Sequence, residues 1–251
     1  LRVNRAVAGP AGTHAMTGVP TPFGIDEAQL PGVVELAKRL GVPVAGFHLH
    51  AVSNSLDAAE YARFTTAAMA WSTAAAMALG IDLEYVNVGG GLGIAYDDPD
   101  RGFDLGALDW SGLRRPAGVE LAFEPGRFLA ADAGWYAAEV LDLKRAHGTW
   151  FAVVRGGTHH FRLPAAWGYD HPFTVVPVED WPYPWDRPVL EDVRVTAAGE
   201  LCTPRDVLCR DQPIDRVRVG DVLLFGRAGA YGWDISHHAY LRHPQPQVII
   251  V

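Results

Sequence analysis

The sequence predicts two architectures in tandem: an α/β unit with a parallel sheet, then an all-β unit, the two meeting near Ala130 to Gly134. Three observations carry this prediction. Strand-like and helix-like stretches alternate through the first half, the second half consists of short β-branched runs separated by Gly and Pro, and polar residues gather where the first-half strands end. Parallel strands joined by helices form either a doubly wound sheet or a (β/α)8 barrel. Both folds place their ligand sites at the C-terminal strand ends.

In chain order, Leu1 to Asn4 is a short strand. Asp26 to Leu40 has helical spacing at Leu30, Val33, Val34, Ala37 and Leu40 and closes at Gly41. Val42 to His48 reads as a buried strand, and Ser55 to Gly80 as a long helix with Ser55 or Asp57 near its cap. Leu83 to Val88 is a strand that runs into Gly89-Gly90-Gly91, Leu105 to Leu113 a weak helix, and Val119 to Phe123 a further strand. Beyond the boundary, Tyr136 to Leu143, Thr149 to Val154, Phe173 to Val178, Val193 to Ala197, Asp221 to Phe225 and Val248 to Val251 are expected to be antiparallel strands.

Composition narrows the function classes. Against 21 Lys and Arg stand 29 Asp and Glu, and the formal charge of −8 argues against nucleic acid or an anionic membrane as main partner. With 49% hydrophobic and 20% charged residues the chain has apolar material for a sizeable core, which excludes general disorder. Cys202 and Cys209 are the two cysteines and show no Cys-x-x-Cys spacing, so neither a disulfide framework nor a structural zinc site is indicated and a reducing cytoplasm is expected. The apolar stretch Ala67 to Gly80 is shorter than the roughly 20 residues of a membrane helix.

Four motifs have chemical content. The run Gly89-Gly90-Gly91-Leu92-Gly93 follows a strand, where backbone N–H groups can approach a phosphate without a Cβ in the way, although it lacks the dinucleotide and P-loop spacings. Glu124-Pro125-Gly126-Arg127 puts a carboxylate and a cation on a rigid turn at the same edge; a surface ion pair is the alternative. His48-Leu49-His50 sets two imidazoles on one face of a strand, open to metal binding, ring stacking or core packing. His159-His160 and His237-His238 enlarge the histidine supply, but no helical metal-binding spacing accompanies them and no metal is expected. Cys202 lies in a charged loop, Gly199 to Asp206, where a buried inert thiol is the alternative.

In this order the motifs Phe23-Gly24-Ile25, Gly46 to His50, Gly89 to Gly91, Glu124 to Arg127, Gly199 to Asp206 and Gly229-Ala230-Tyr231 resemble the fold-type III pyridoxal-phosphate decarboxylases, the diaminopimelate and ornithine decarboxylase family. His50-Ala51-Val52-Ser53-Asn54 and Arg155 to Pro164 look most like the branch that serves siderophore biosynthesis. The resemblance implies an α/β plus all-β protein: the C-terminal half of a (β/α)8 TIM-like barrel, residues 1–132 with strands five to eight, followed by a β-sandwich or β-barrel domain, residues 133–251. It also implies a homodimer with shared active sites and pyridoxal 5'-phosphate as cofactor.

The resemblance assigns roles. Glu124 would keep the pyridine nitrogen protonated and His50 would stack on the ring, while Ser53, Gly89, Gly90, Gly91, Gly126, Arg127 and Tyr231 would hold the phosphate. Cys202, from the partner subunit, would be the proton donor, with Asp206 alongside, and Arg162 would pair with a substrate carboxylate. Three departures matter. Thr203 stands where the family often has an acidic residue for a distal amine, Val52 replaces a glycine before Ser53, and neither Lys38 nor Lys144 lies in the family's Schiff-base motif. Counting strands backwards, the first four βα units and that lysine are expected before Leu1, in a longer native polypeptide.

The expected reaction is decarboxylation of an amino acid or amino-acid conjugate with an extra carboxylate, in siderophore assembly. The alternatives are diaminopimelate decarboxylation, racemisation, a non-catalytic cofactor-binding protein, and a metal-dependent hydrolase built on the histidines.

Overall fold

The computed structural model describes residues 1–98 and 100–251. The chain divides into two compact units, Leu1–Ala95 with Pro99–Phe128, and Tyr96–Asp98 with Leu129–Val251.

The first unit opens with three two-residue strands, β1 (Val3–Asn4), β2 (His14–Ala15) and β3 (Ile25–Asp26). Helix α1 (Leu30–Arg39) follows a 3-10 turn, Glu27–Gln29, in which the Asp26 side chain accepts the Ala28 N–H, so the α-helix proper begins at Leu30, the first of the spaced apolar residues, and not at Asp26. Next come β4 (Gly46–His48), β5 (Val52–Ser53) and α2 (Ala58–Leu79). Asp57 caps α2 by accepting the Glu60 N–H, and Gly80 ends it in the left-handed conformation. The buried stripe Tyr61, Ala62, Thr65, Ala68, Met69, Ser72 and Ala76 follows helical spacing and sets α2 on the sheet. After β6 (Tyr85–Asn87) the expected helix at Leu105 to Leu113 is only a 3-10 turn, Leu105–Ala107, capped by Asp104; the Gly, Asp and Trp residues that follow supply no apolar face to extend it. β7 (Glu120–Ala122) ends the sheet.

The strands β4, β6 and β7 pair in parallel in that order. Arg2 bridges to His48 in the same direction, and β3 pairs in parallel with β1 on the far side. Leu1 to Asn4, Gly46–His48, Tyr85–Asn87 and Glu120–Ala122 therefore lie side by side in sequence order, over a core that includes Val3, Phe47, Leu49, Met69, Val86, Val88 and Val119.

The chain passes into the second unit through α3 (Gly126–Ala130). There follow β8 (Tyr136–Ala146), β9 (Thr149–Val154), α4 (Leu163–Trp167), β10 (Thr174–Val176), β11 (Val189–Ala198), β12 (Val207–Arg218) and β13 (Val222–Phe225). They form one six-stranded sheet in the order β10-β13-β8-β9-β11-β12. Both outer strands are tied together: Gln212 on β12 accepts from the Phe173 N–H at 2.9 Å and donates to the Phe173 carbonyl at 2.7 Å, just before β10. The sheet is thereby nearly closed into a barrel around Val140, Ala152, Val154, Phe161, Leu208, Leu223 and Phe225.

Three expectations for this unit need correction. The strands are not all antiparallel, because β9 and β11 run parallel. Val248 to Val251 forms no strand and its four side chains are exposed. The longest strand, β12, was not expected at all. Its charged residues and Pro213 disguise a strand that buries Leu208, Cys209, Ile214 and Val217 without strict alternation, its pairing with β11 being irregular, and Pro213 is tolerated because β12 is an outer strand of the ladder.

Candidate active site

In the α/β unit three strand ends converge. Beyond β4, β6 and β7 the ladder continues, with Leu49 donating to the Asn87 carbonyl, Val88 to that of Ala122 and Glu124 to that of Gly89. This extension brings His48, His50, Gly89 to Gly91 and Glu124 to one edge. Alternation sends Phe47 and Leu49 into the core and both imidazoles to the other side, with ring centroids 6.2 Å apart.

Asn87 organises the cluster, and the sequence pattern did not single it out. Its amide donates to Glu124 Oε1 at 2.8 Å, and its carbonyl oxygen accepts the Gly89 N–H at 2.7 Å. The other carboxylate oxygen of Glu124 is 3.6 Å from His48 Nε2, and the side chain is half exposed. A lone polar residue between Val86 and Val88 in a buried strand was the available signal. Tyr61, on α2, donates to the Gly90 carbonyl at 3.0 Å, and burial raises its hydroxyl well above the usual phenol range.

Glycine is required at the turn. Gly89 has φ +76°, and a Cβ there would lie 2.7 Å from the His50 Cα. At Gly90 a Cβ would lie 2.5 Å from the Glu124 carbonyl oxygen. The Gly90 N–H donates to His50 Nδ1 at 3.0 Å, which leaves the imidazole proton on Nε2. Burial, with Arg2 and His48 nearby, lowers the His50 pKa, and burial, against the pull of Glu124, lowers that of His48. Both rings are neutral at physiological pH.

The N–H groups of Gly89, Gly90 and Gly126 are thus donated within the chain, to Asn87, His50 and the Glu124 carbonyl. Gly89 and Gly90 shape the site by close backbone approach. Arg127 is buried in α3, and Ser53 lies on β5 opposite His14. Val52, in place of the family's glycine, is buried against Gly91.

The remaining candidates lie in the sheet unit. Cys202 is exposed in the loop between β11 and β12, whereas Cys209 is buried, its thiol pushed up to about 12 by burial with Asp170 nearby. Asp206 is buried, and its two oxygens accept the N–H groups of Thr158 at 2.6 Å and Leu201 at 2.8 Å. This carboxylate fastens the Cys202 loop to the turn after β9. Thr203 accepts the Asp206 N–H through its carbonyl. Arg162 precedes α4 and donates its N–H to Ser236 Oγ at 3.0 Å, and the Tyr231 ring lies 5.5 Å from that of Trp167, the last residue of α4. A groove of about 500 Å³ lined by Glu139, Arg155, Trp181, Tyr183 and Trp185 contains none of the candidate residues.

The donor set suits a phosphorylated pyridine: a carboxylate poised by an amide, a neutral imidazole, and a turn whose Cβ positions are all taken by neighbours. The family described as pyridoxal-dependent decarboxylase, C-terminal sheet domain, matches residues 27–229, and the chain belongs to this family of pyridoxal-dependent decarboxylases. It is similar to the 2-[(L-alanin-3-ylcarbamoyl)methyl]-2-hydroxybutanedioate decarboxylase of Staphylococcus aureus, with 39% identity over 99% of this chain and 64% of that protein. The diaminopimelate decarboxylase of Deinococcus radiodurans is 34% identical over 100% of this chain and 60% of its own length. The crystal structure of diaminopimelate decarboxylase from Methanocaldococcus jannaschii with L-lysine superposes with a TM-score of 0.76 at 28% identity, covering 98% of this chain and 56% of that one. The chain spans about 60% of the length of these relatives.

Proposed function

We propose that the natural polypeptide containing this chain is a pyridoxal 5'-phosphate-dependent decarboxylase of an amino-acid conjugate with an extra carboxylate, acting in siderophore biosynthesis as a cytoplasmic homodimer. The observation that carries the reading is the Glu124 carboxylate, fixed by Asn87 and left half exposed at the strand edge that also holds His50 and the three glycines. In the same reading β1, β4, β6 and β7 are strands five to eight of a parallel barrel, and residues 133–251 are the second domain.

When bound, pyridoxal phosphate supplies an electron sink for the pair released as a carboxylate leaves as CO2. Glu124 holds a proton at the cofactor's ring nitrogen. His50, neutral and fixed by the Gly90 N–H, offers its ring face without adding a charge. Ser53 and Arg127, with Gly91, bind the phosphate, as does Tyr231. The partner subunit's Cys202 delivers a proton from Sγ to the carbon that has lost CO2, Asp206 keeps the loop of that thiol in place, and Arg162 and Thr203 face the substrate. The name of the Staphylococcus aureus relative's reaction describes such a conjugate, an alanine unit in amide linkage to a hydroxybutanedioate.

The test is CO2 release by the natural polypeptide, with this conjugate and diaminopimelate compared as substrates. Glu124→Ala is expected to abolish release and Cys202→Ala to reduce it strongly. Normal turnover by Cys202→Ala overturns its role as proton donor, and chiral analysis of the product separates decarboxylation from racemisation.

A further inference from the structure

The sheet unit gathers three metal-binding side chains for which the proposed decarboxylation has no use. His159 follows β9, Glu200 follows β11, and His243 lies in the segment after β13; one ligand atom from each lies within 4.8 Å of the other two. His159 is only 2% exposed, yet neither of its ring nitrogens has a hydrogen-bond partner. Buried polar atoms are almost always satisfied, and an imidazole with two unmet nitrogens in the interior calls for a partner that the protein itself does not provide.

We propose that His159, Glu200 and His243 form a binding site for a divalent transition-metal ion of the Zn2+ type. Two imidazole nitrogens and one carboxylate oxygen form the donor set of a borderline-soft cation, whereas Ca2+ and Mg2+ take mainly oxygen ligands.

The surroundings orient the ligands. The Gly156 N–H donates to Glu200 Oε1 at 2.8 Å, as expected of a carboxylate fixed by an outer hydrogen bond. His160 Nε2 donates to the Pro244 carbonyl at 2.7 Å and so holds the residue after His243 against the turn that carries His159. Tetrahedral ligands around such a metal stand roughly 3.4 Å apart. His243 Nδ1 and Glu200 Oε1 already stand 3.9 Å apart, and both side chains, each 27% exposed, border solvent. Three protein ligands leave a fourth position for water or an anion. The ion would fasten the 156–161 turn, the Cys202 loop and the C-terminal segment at one point, and the inference does not depend on the decarboxylase reading.

The full chain, stripped with chelator, is titrated with Zn2+ by calorimetry and with Co2+ by visible absorption. One equivalent per chain is expected, with the d–d bands of a low-coordinate site. Since outer hydrogen bonds to metal ligands are worth 10–100-fold in affinity, His243→Ala and Glu200→Gln are each expected to weaken Zn2+ binding by more than about 100-fold. His147→Ala, at the exposed β8–β9 turn, should leave it unchanged. Glu200→Gln keeps its size and its acceptor for Gly156, so it remains informative if His243→Ala fails to fold. Substoichiometric uptake, or uptake unmoved by Glu200→Gln, overturns the proposal.

Discussion

Asp206→Asn isolates the most consequential carboxylate of the sheet unit. Each oxygen of Asp206 accepts one buried N–H, from Thr158 at 2.6 Å and from Leu201 at 2.8 Å. Asparagine retains one acceptor and turns an NH2 toward the other N–H. The change removes one charge-assisted bond, about 1.5–3 kcal/mol, and strands a buried donor at about 1–3 kcal/mol. The two overlap, and we expect a net loss of about 2–4 kcal/mol. Rotation cannot relieve it, because a Cβ on Gly157 would lie within 2.6 Å of both carboxylate oxygens, so backbone is pressed flat against the group. The assay is urea unfolding followed by tryptophan fluorescence. Asp170→Asn serves as the control; its exposed pair with Arg210 is expected to contribute under about 1 kcal/mol. A loss below about 0.5 kcal/mol in Asp206→Asn, with unchanged denaturant slope, would refute the assignment of this carboxylate as the fastening of the Cys202 loop.

Three further outcomes are expected. Gly89→Ala should cost about 2–4 kcal/mol of stability in urea unfolding, from a left-handed residue with a Cβ forced against the His50 backbone, and should abolish binding of pyridoxal phosphate measured by absorbance. His171 is 1% exposed and its pKa is lowered to about 4, chiefly by burial, so the unfolded chain binds the extra proton below about pH 6.5. The His171 contribution should therefore be constant above that pH and fall by about 2 kcal/mol by pH 5, and His159, likewise lowered to about 4, adds a second loss of the same size, so urea midpoints of the metal-free chain should show a loss of about 4 kcal/mol that a flat profile would contradict. Finally, a thiol reagent should titrate one cysteine in the native chain, Cys202, and both in urea, because Cys209 is buried; two reactive thiols without urea would place Cys209 wrongly.

Much of the α/β unit was legible because periodicity and punctuation agreed there. Asp57 and Gly80 bracket α2, and the strands carrying His48, Asn87 and Ala122 each run into a polar or glycine-rich turn. What stayed hidden depends on partners far away in sequence. β12 reads as a charged loop until its neighbour β11 shows which residues face inward, and the parallel β9–β11 pairing has no local signature. At the site, the glycines and Glu124 stood out by motif. Asn87 did not, because the hydrogen bond that gives it importance, to Glu124, exists only when β6 and β7 are aligned. Asp206 was expected beside the substrate, and its bond from the Thr158 N–H becomes visible only once the turn after β9 meets the loop after β11.

The pairing of β8 with β13 has a consequence for how the protein is made. Residues 136–139 take as their partners residues 222–225, so this stretch of the β8 edge stays open until Phe225 has been synthesised. At bacterial and eukaryotic elongation rates of about 5–20 residues per second, the roughly 85 intervening residues take on the order of 4–17 s. Throughout that interval the emerging chain presents unpaired strand N–H and C=O groups beside apolar side chains, the form of surface that templates aggregation and recruits chaperones. A nascent chain stalled before Phe225 is held in that state, which makes the synthesis of β13 the point at which this edge of the sheet becomes safe.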